Sequence, residues 1–278
     1  MFFFKKKNPK SDTETADYFV SLIKNSSFWK EYFFNKLRKE LVECAIEYPS
    51  VINNGYLHIE RAFNLIDFLE LSHINSIIDV GSAKGEIAIQ FTERFPLASV
   101  YCFEPIHSTF LDLEKKVKGF PKISIYNKGL GSEDKEMEMQ IAERITSSSF
   151  FPISSSIQNP FFSSNLKKAT SEKISITSLD RMIDHNEKIN LLKIDVQGYE
   201  VEVLKGAKRI LKNTAVIIVE MQNHKMYKGA PLYFELDAYL RSQEFSLFDI
   251  IPSIRQQNKL YEWDSIYVAN SIALKFDT

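Results

Sequence analysis

The ten residues from Ile77 to Glu86, Ile-Ile-Asp-Val-Gly-Ser-Ala-Lys-Gly-Glu, constrain the fold of this chain most tightly. A short apolar run ends at Gly81, and a helical pattern follows from Glu86 to Arg94. Upstream, the apolar residues Ala62, Phe63, Leu65, Ile66 and Leu69 recur at helical spacing, which predicts a helix from about Ile59 to Leu71. After the turn the alternation continues. Ser99–Phe103 reads as a strand, Ser108–Val117 as a helix and Lys122–Tyr126 as a third strand. Strand, turn, helix and strand in this order build βαβ units and a doubly wound sheet. The same alternation predicts strands at Lys173–Thr177, Leu191–Val196, Ala215–Glu220, Ser246–Ile250 and Ser265–Ala269, the last of them antiparallel. Helices are predicted at Tyr199–Leu211 and Leu232–Ser242. Between them, residues 143–171 are rich in Ser, Phe and Pro with no period, as in a long irregular loop.

Residues 1–55 read as a separate helical extension, with amphipathic spacing from about Thr13 to Glu47 and a break near Asn25-Ser26-Ser27. Residues 56–278 then form the α/β domain. Residues 1–40 carry nine Lys/Arg against five Asp/Glu, and Phe2–Phe4 precede Lys5–Lys7, so this end is a candidate for weak contact with a membrane surface. That order is the reverse of a signal peptide, and no window approaches 18 apolar residues. The expectation is a cytoplasmic protein without a transmembrane segment. A net charge of −1 argues against nucleic acid as a partner. Cys44 and Cys102, far apart and outside any CxxC, define neither a disulfide framework nor a zinc site. No metal-ligating set is read from the sequence.

Nine glycines in 278 residues make each one informative. Gly81 lets the backbone approach a ligand beyond the carboxyl end of the first strand, and Gly85 lets the helix pack close. Glu104, 23 residues after Gly81, ends the second strand, where a carboxylate accepts both hydroxyl protons of a ribose. The dehydrogenase pattern GxGxxG and the phosphate loop GxxxxGK[ST] are both absent. Instead Asp79 sits two residues before Gly81. An acid there suits a ligand with a positive amino group and disfavours a pyrophosphate, which points to S-adenosylmethionine. An ordinary strand–helix turn accounts for Gly81 but not for the paired acids.

The segments IIDVGSAKGE (77–86), VYCFEP (100–105), KGLGS (128–132), TSLDRM (177–182), LLKIDVQGYEVEVLKGA (191–207) and VIIVEMQN (216–223) resemble the FkbM family of S-adenosylmethionine-dependent methyltransferases. So does the tail, residues 231–250. The resemblance implies a Rossmann-like class I methyltransferase fold, with a seven-stranded, mostly parallel sheet and helices on both faces. It implies that Gly81 and its neighbour Ser82 line the methionine portion of the cofactor, that Glu104 binds its ribose, and that Leu130 and Gly131 lie near its adenine. It also implies O-methylation of a sugar or another hydroxyl-bearing acceptor. Two departures stand out. The family reads GANxG where this chain has Ser82-Ala83, and DVEG where it has Gln197, followed by Tyr199 in place of a small residue.

A sugar hydroxyl is a poor nucleophile, and a general base adds about 10²–10⁴-fold. Asp195, at the end of a central strand, is the first candidate for base and cofactor contact, with a helix N-cap as its alternative role. His224 and Glu220 are the other catalytic candidates, and Lys193 is ambiguous. Ser147–Phe151 reads as a candidate lid. The competing functions are a non-catalytic scaffold that keeps the fold and, against the missing GxGxxG, a nicotinamide-dependent oxidoreductase.

Overall fold

The structure is a computed structural model that describes residues 57–71, 73–154, 168–256 and 259–273. The expected helices of residues 1–55 and their surface contact lie outside these residues, as does the 155–167 part of the irregular stretch. In chain order the elements are α1 (Leu57–Phe68), β1 (Ser76–Val80), α2 (Glu86–Arg94), β2 (Ser99–Phe103), α3 (His107–Val117), β3 (Ile123–Tyr126), β4 (Gly129–Leu130) and β5 (Lys135–Ala142). They continue with β6 (Lys168–Thr177), α4 (Leu179–Met182), β7 (Leu191–Ile194), α5 (Glu200–Lys205), α6 (Lys208–Leu211), β8 (Val216–Gln222), α7 (Tyr233–Ser242), β9 (Phe245–Gln256), β10 (Lys259–Ala269) and α8 (Asn270–Ala273).

Seven strands form one sheet in the order β3-β2-β1-β7-β8-β10-β9. All neighbours are parallel except β10, which runs antiparallel to β8 and β9. This is the expected class I methyltransferase sheet. β1, β7 and β8 are buried along their whole length, the signature of parallel strands covered on both faces. On one face Ile78, Val80, Leu192, Ile194 and Val219 pack under α4 to α7. On the other, Ile77, Leu191, Val216, Ile218 and Ile266 pack under α1, α2 and α3. α3 does this through Thr109, Leu113 and Val117, spaced four apart on one stripe. Among the described residues no helix is long and apolar enough to cross a membrane.

The structure corrects three expectations. The helix expected over Tyr199–Leu211 divides at Gly206, because a Cβ there would lie 1.9 Å from the Gly131 carbonyl oxygen. The chain bends at this close approach, and the Asp180 carboxylate accepts from the Arg209 and Ile210 N–H groups at the start of α6. The last two strands are far longer than expected. The strand expected to end at Ile250 runs on through Pro252, which lies on β9 at the sheet edge, where a missing N–H disturbs no second neighbour. Finally, the 143–171 stretch is not one irregular loop. β6 begins at Lys168 and pairs antiparallel with β5, and both join β4 in a second, three-stranded sheet. In β5 the residues Met137, Met139 and Ile141 alternate with Glu138 and Gln140, a period of two that marks a half-buried strand.

Candidate active site

In a doubly wound sheet the ligand crevice opens where the strand order reverses, beyond the carboxyl ends of the strands. Here that point lies between β1 and β7, and a cleft opens there. Val80, Gly81 and Ala83 of the β1–α2 turn line it, with Phe103 and Glu104 at the end of β2 and Asp195 and Gln197 beyond β7. Gly129 and Leu130 of β4, Met139 of β5, and Ile145, Ser148 and Phe150 cover it from the second sheet and the chain beyond. The second sheet, of which only Lys173–Thr177 was expected as a strand, is therefore the roof of the cleft.

The first turn is shaped by backbone that only small residues tolerate. Gly81 has φ +79°, and a Cβ there would sit 1.9 Å from the Asp195 carbonyl oxygen. Its N–H and that of Ser82 both donate to the Phe103 carbonyl, which ties the ends of β1 and β2 together. Ser82 is buried and turns its Oγ back to the Asp79 carbonyl at 2.7 Å, so it does not line the cleft. Ala83 does line it, at φ +46°. Gly85, at φ +84°, faces α3, since its Cβ would meet Leu113 at 2.6 Å. Gly131 has a packing role as well, lying against Ile176 and the Tyr199 ring.

Glu104 is 4% exposed and holds the two loops that frame the cleft. Its Oε2 accepts from the Ala83 N–H at 3.0 Å and its Oε1 from the Ile106 N–H at 2.9 Å. Burial pushes its carboxyl up to about 7 against the pull of these two donors. A carboxylate has roughly four acceptor sites, so each oxygen keeps capacity for one hydroxyl. A carboxylate at the end of β2, a turn bare of Cβ at Gly81, and apolar walls from Phe103, Leu130, Met139 and Phe150 fit the ribose, methionine and adenine parts of S-adenosylmethionine.

Asp79 lies elsewhere. It shares the face of Ile77, is fully buried, and forms an ion pair with Lys193 at 3.5 Å. It does not line the cleft. Lys193, whose orientation sequence reading left ambiguous, is 2% exposed and lies 3.6 Å from Asp195 as well. Burial alone would lower its pKa, but Asp195 and Asp79 outweigh that and raise it. Among the three, only the Asp195 side chain is open, at 38% exposure.

Asp195 caps no helix, since Tyr199 occupies the N-cap of α5. The buried Glu200 carboxylate holds the turn instead, accepting from the Val196 and Gly198 N–H groups. Asp195 is fixed by Gln197, whose Nε2 donates to its Oδ1 at 3.0 Å and to Glu220 Oε2 at 2.9 Å. Glu220 is thus behind Gln197 and outside the cleft lining, and burial, Glu262 and Asp195 raise its pKa well above the usual carboxylate range. His224 is apart from this group. Its ring stacks on Tyr261 at 4.7 Å, burial lowers its pKa, and it does not line the cleft.

Of the candidate lid, Ser148 and Phe150 reach the cleft, and Ser149 Oγ donates to the Gln197 carbonyl at 2.7 Å. Tyr227, absent from the sequence-level candidates, places its hydroxyl 3.0 Å from Gln197 Oε1 and 2.9 Å from the Ser147 carbonyl. No motif marks it, because its partners are distant in sequence.

A family model described as the methyltransferase FkbM domain matches residues 79–247. Three known proteins are similar to the chain. Hexuronic acid methyltransferase AglP of Haloferax volcanii is 28% identical over 180 residues, covering 60% of this chain and 67% of the relative. The 2-O-methyltransferase NoeI of Sinorhizobium fredii is 24% identical over 174 residues, 58% of this chain and 69% of the relative. Methyltransferase 1 of Beauveria bassiana is 21% identical over 162 residues, 54% of this chain, and the match spans just under two thirds of that relative, 64%. A match over residues 79–247, on a class I sheet whose switch point opens into a cleft floored by Gly81 and Glu104, makes this chain a member of the FkbM family of S-adenosylmethionine-dependent methyltransferases.

Proposed function

We propose that the chain O-methylates a hydroxyl of a sugar or glycan precursor, with Asp195 as the general base. The observation that carries this reading is the Asp195 carboxylate, which is part-exposed in the cleft while its partner Lys193 and Asp79 beyond it are buried. Bound S-adenosylmethionine supplies an electrophilic methyl group. Glu104 would hold the ribose hydroxyls, the bare Gly81 turn would admit the methionine portion, and Leu130 would face the adenine. Asp195 accepts the acceptor's hydroxyl proton on a carboxylate oxygen while Gln197 and Lys193 keep the group oriented. Phe150, Ile145 and Met139 exclude water from above. The similarity to a 2-O-methyltransferase and a hexuronic acid methyltransferase supports a sugar hydroxyl as the acceptor. The free, buried thiol of Cys102 supports a reducing, cytoplasmic setting. The division into a 1–55 extension and a 56–278 catalytic domain belongs to the same proposal.

The test is transfer of labelled methyl from S-adenosylmethionine to methyl glycosides of hexoses and hexuronic acids. Asp195→Asn should lower transfer by about 10²–10⁴-fold with S-adenosylhomocysteine binding retained. Cofactor binding without transfer to any glycoside would overturn the proposal in favour of a scaffold.

A further inference from the structure

The roof of the cleft is stitched to the loop after β8. Ile153 pairs with Tyr227 in an antiparallel bridge, the Ser154 N–H donates to the Met226 carbonyl at 2.9 Å, and the Lys228 N–H donates to the Pro152 carbonyl at 2.6 Å. Beneath this seam the Tyr227 ring is fully buried among Phe151, Ile153, Met226 and Ala230. Its hydroxyl lies between the Ser147 carbonyl of the roof and Gln197 Oε1 of the floor. The Gln197 amide then spans two acids. Its oxygen faces the Tyr227 hydroxyl, and its NH₂ group donates to Asp195 and to Glu220. Both amide N–H groups and one acceptor site of its oxygen are used, and a glutamate here would bring a third carboxylate against the other two without an N–H to offer either.

The backbone at this point is held in a costly conformation. Gln197 has φ +54° and Gly198 φ +98°, and a Cβ on Gly198 would meet the Ala230 Cβ at 2.8 Å. A left-handed glutamine is uncommon and persists where its surroundings over-determine it. Here the surroundings are the two Glu200 hydrogen bonds, the Ser149 hydroxyl and the three side-chain partners of the amide.

We propose that Gln197 and Tyr227 are positioning residues that couple closure of the 145–154 strap over the cleft to the aim of the Asp195 carboxylate. When the strap is down, the Tyr227 hydroxyl proton is shared between the Ser147 carbonyl and Gln197 Oε1, and the amide NH₂ group holds Asp195. When it lifts, the amide keeps Glu220 as its one other anchor, and Asp195 is held less tightly, by Lys193 and a loosened amide. The functional meaning rests on Asp195 as the base, but the coupling itself does not.

The test is hydrogen exchange followed by mass spectrometry on the full chain without ligand. Tyr227→Phe keeps the packed ring and removes only the hydroxyl. Exchange across 147–154 and 226–230 should rise about five- to tenfold, the worth of one hydrogen bond, while β1 and β7 stay protected. Gln197→Ala should do the same, and the double variant should exchange no faster than the faster single one, because both act through one linkage. Unchanged strap exchange in Tyr227→Phe, or additive effects in the double variant, would overturn the coupling.

Gln197→Glu supplies a readout that a packing role would not move. The third carboxylate meets Asp195 and Glu220, with Glu200, Glu262 and Asp264 as further acids and Lys193 as the cation among them. Its folded-state pKa is raised, so the deficit in thermal midpoint against the parent should be full at pH 8 and shrink by pH 6, as a proton takes the place of the amide N–H. Gln197→Ala should show no such recovery. A Gln197→Glu deficit independent of pH would refute the bridging role. These readouts use no acceptor and no cofactor, so failure of the methyltransfer assay and failure of the coupling are separable results.

Discussion

Glu104 offers the sharpest test of how this cleft takes its cofactor. Its carboxyl is buried and titrates at about 7, so it is about half ionised at pH 7. Ribose hydroxyls donate more strongly, and at more sites, to the ionised form than to the protonated one, so binding should favour loss of the proton. Calorimetric titration with S-adenosylhomocysteine, repeated in buffers of different ionisation enthalpy, should show release of about half a proton at pH 7. Between pH 8 and pH 6 the ionised fraction falls from about nine tenths to about a tenth, so the affinity should weaken about tenfold, or about 1.4 kcal/mol. In the unliganded protein the same group has the opposite consequence. Its folded pKa lies above the unfolded value of 4.5, so its contribution to stability is present below about pH 4.5 and lost as pH rises through about 7. Glu104→Gln removes the titration. The variant should bind with no pH slope and no proton release, and more weakly, because an amide offers one uncharged acceptor oxygen in place of a carboxylate; its NH₂ facing the Ala83 or Ile106 N–H should separately cost about 1–3 kcal/mol of folding stability. Glu200, Glu262 and Asp264 are also pushed up to about 7, but none lines the cleft. A pH slope that persists in Glu104→Gln would therefore assign the proton to another group and refute the reasoning.

Two further variants test the frame around the site. Lys193→Met strands Asp79 and Asp195 without their cation. Urea unfolding should show a loss of about 3–5 kcal/mol at pH 8, smaller at pH 6, because burial already raises Asp79 and its penalty falls as it takes up a proton. Ala83→Asn relieves an alanine at φ +46° with a residue that tolerates the left-handed region. It should raise the thermal midpoint by about 2–4 °C, the equivalent of about 1 kcal/mol for a domain of this size.

Local pattern made most of the main sheet legible. Ser76–Val80 and Ser99–Phe103 carry short, mostly apolar runs ended by turn residues, and α2, α3 and α7 carry clean helical stripes, so these elements appear within one or two residues of their expected ends. The second sheet was harder to read because β5 and β6 are half-exposed strands interleaved with Glu, Gln and Lys, and their pairing joins residues 26 to 41 positions apart. Gly81 and Glu104 were legible as cleft-lining positions because each sits where a strand ends, a position that chain order alone defines.

What the sequence by itself determined is therefore the doubly wound sheet, its switch point, and the placing of Gly81, Glu104 and Asp195 at the carboxyl ends of its strands. Period and strand-end chemistry are properties of neighbours along the chain. Only the tertiary structure decided what each polar group faces. It turned Asp79 inward to Lys193, set His224 aside on Tyr261, put Glu220 behind Gln197, and brought Tyr227 from 30 residues away to the Gln197 amide. Side chains on one strand alternate between faces, and loops from distant parts of the chain meet above them. The partner of a buried charge is therefore set by which strands and loops end up adjacent, and not by its own neighbours in sequence.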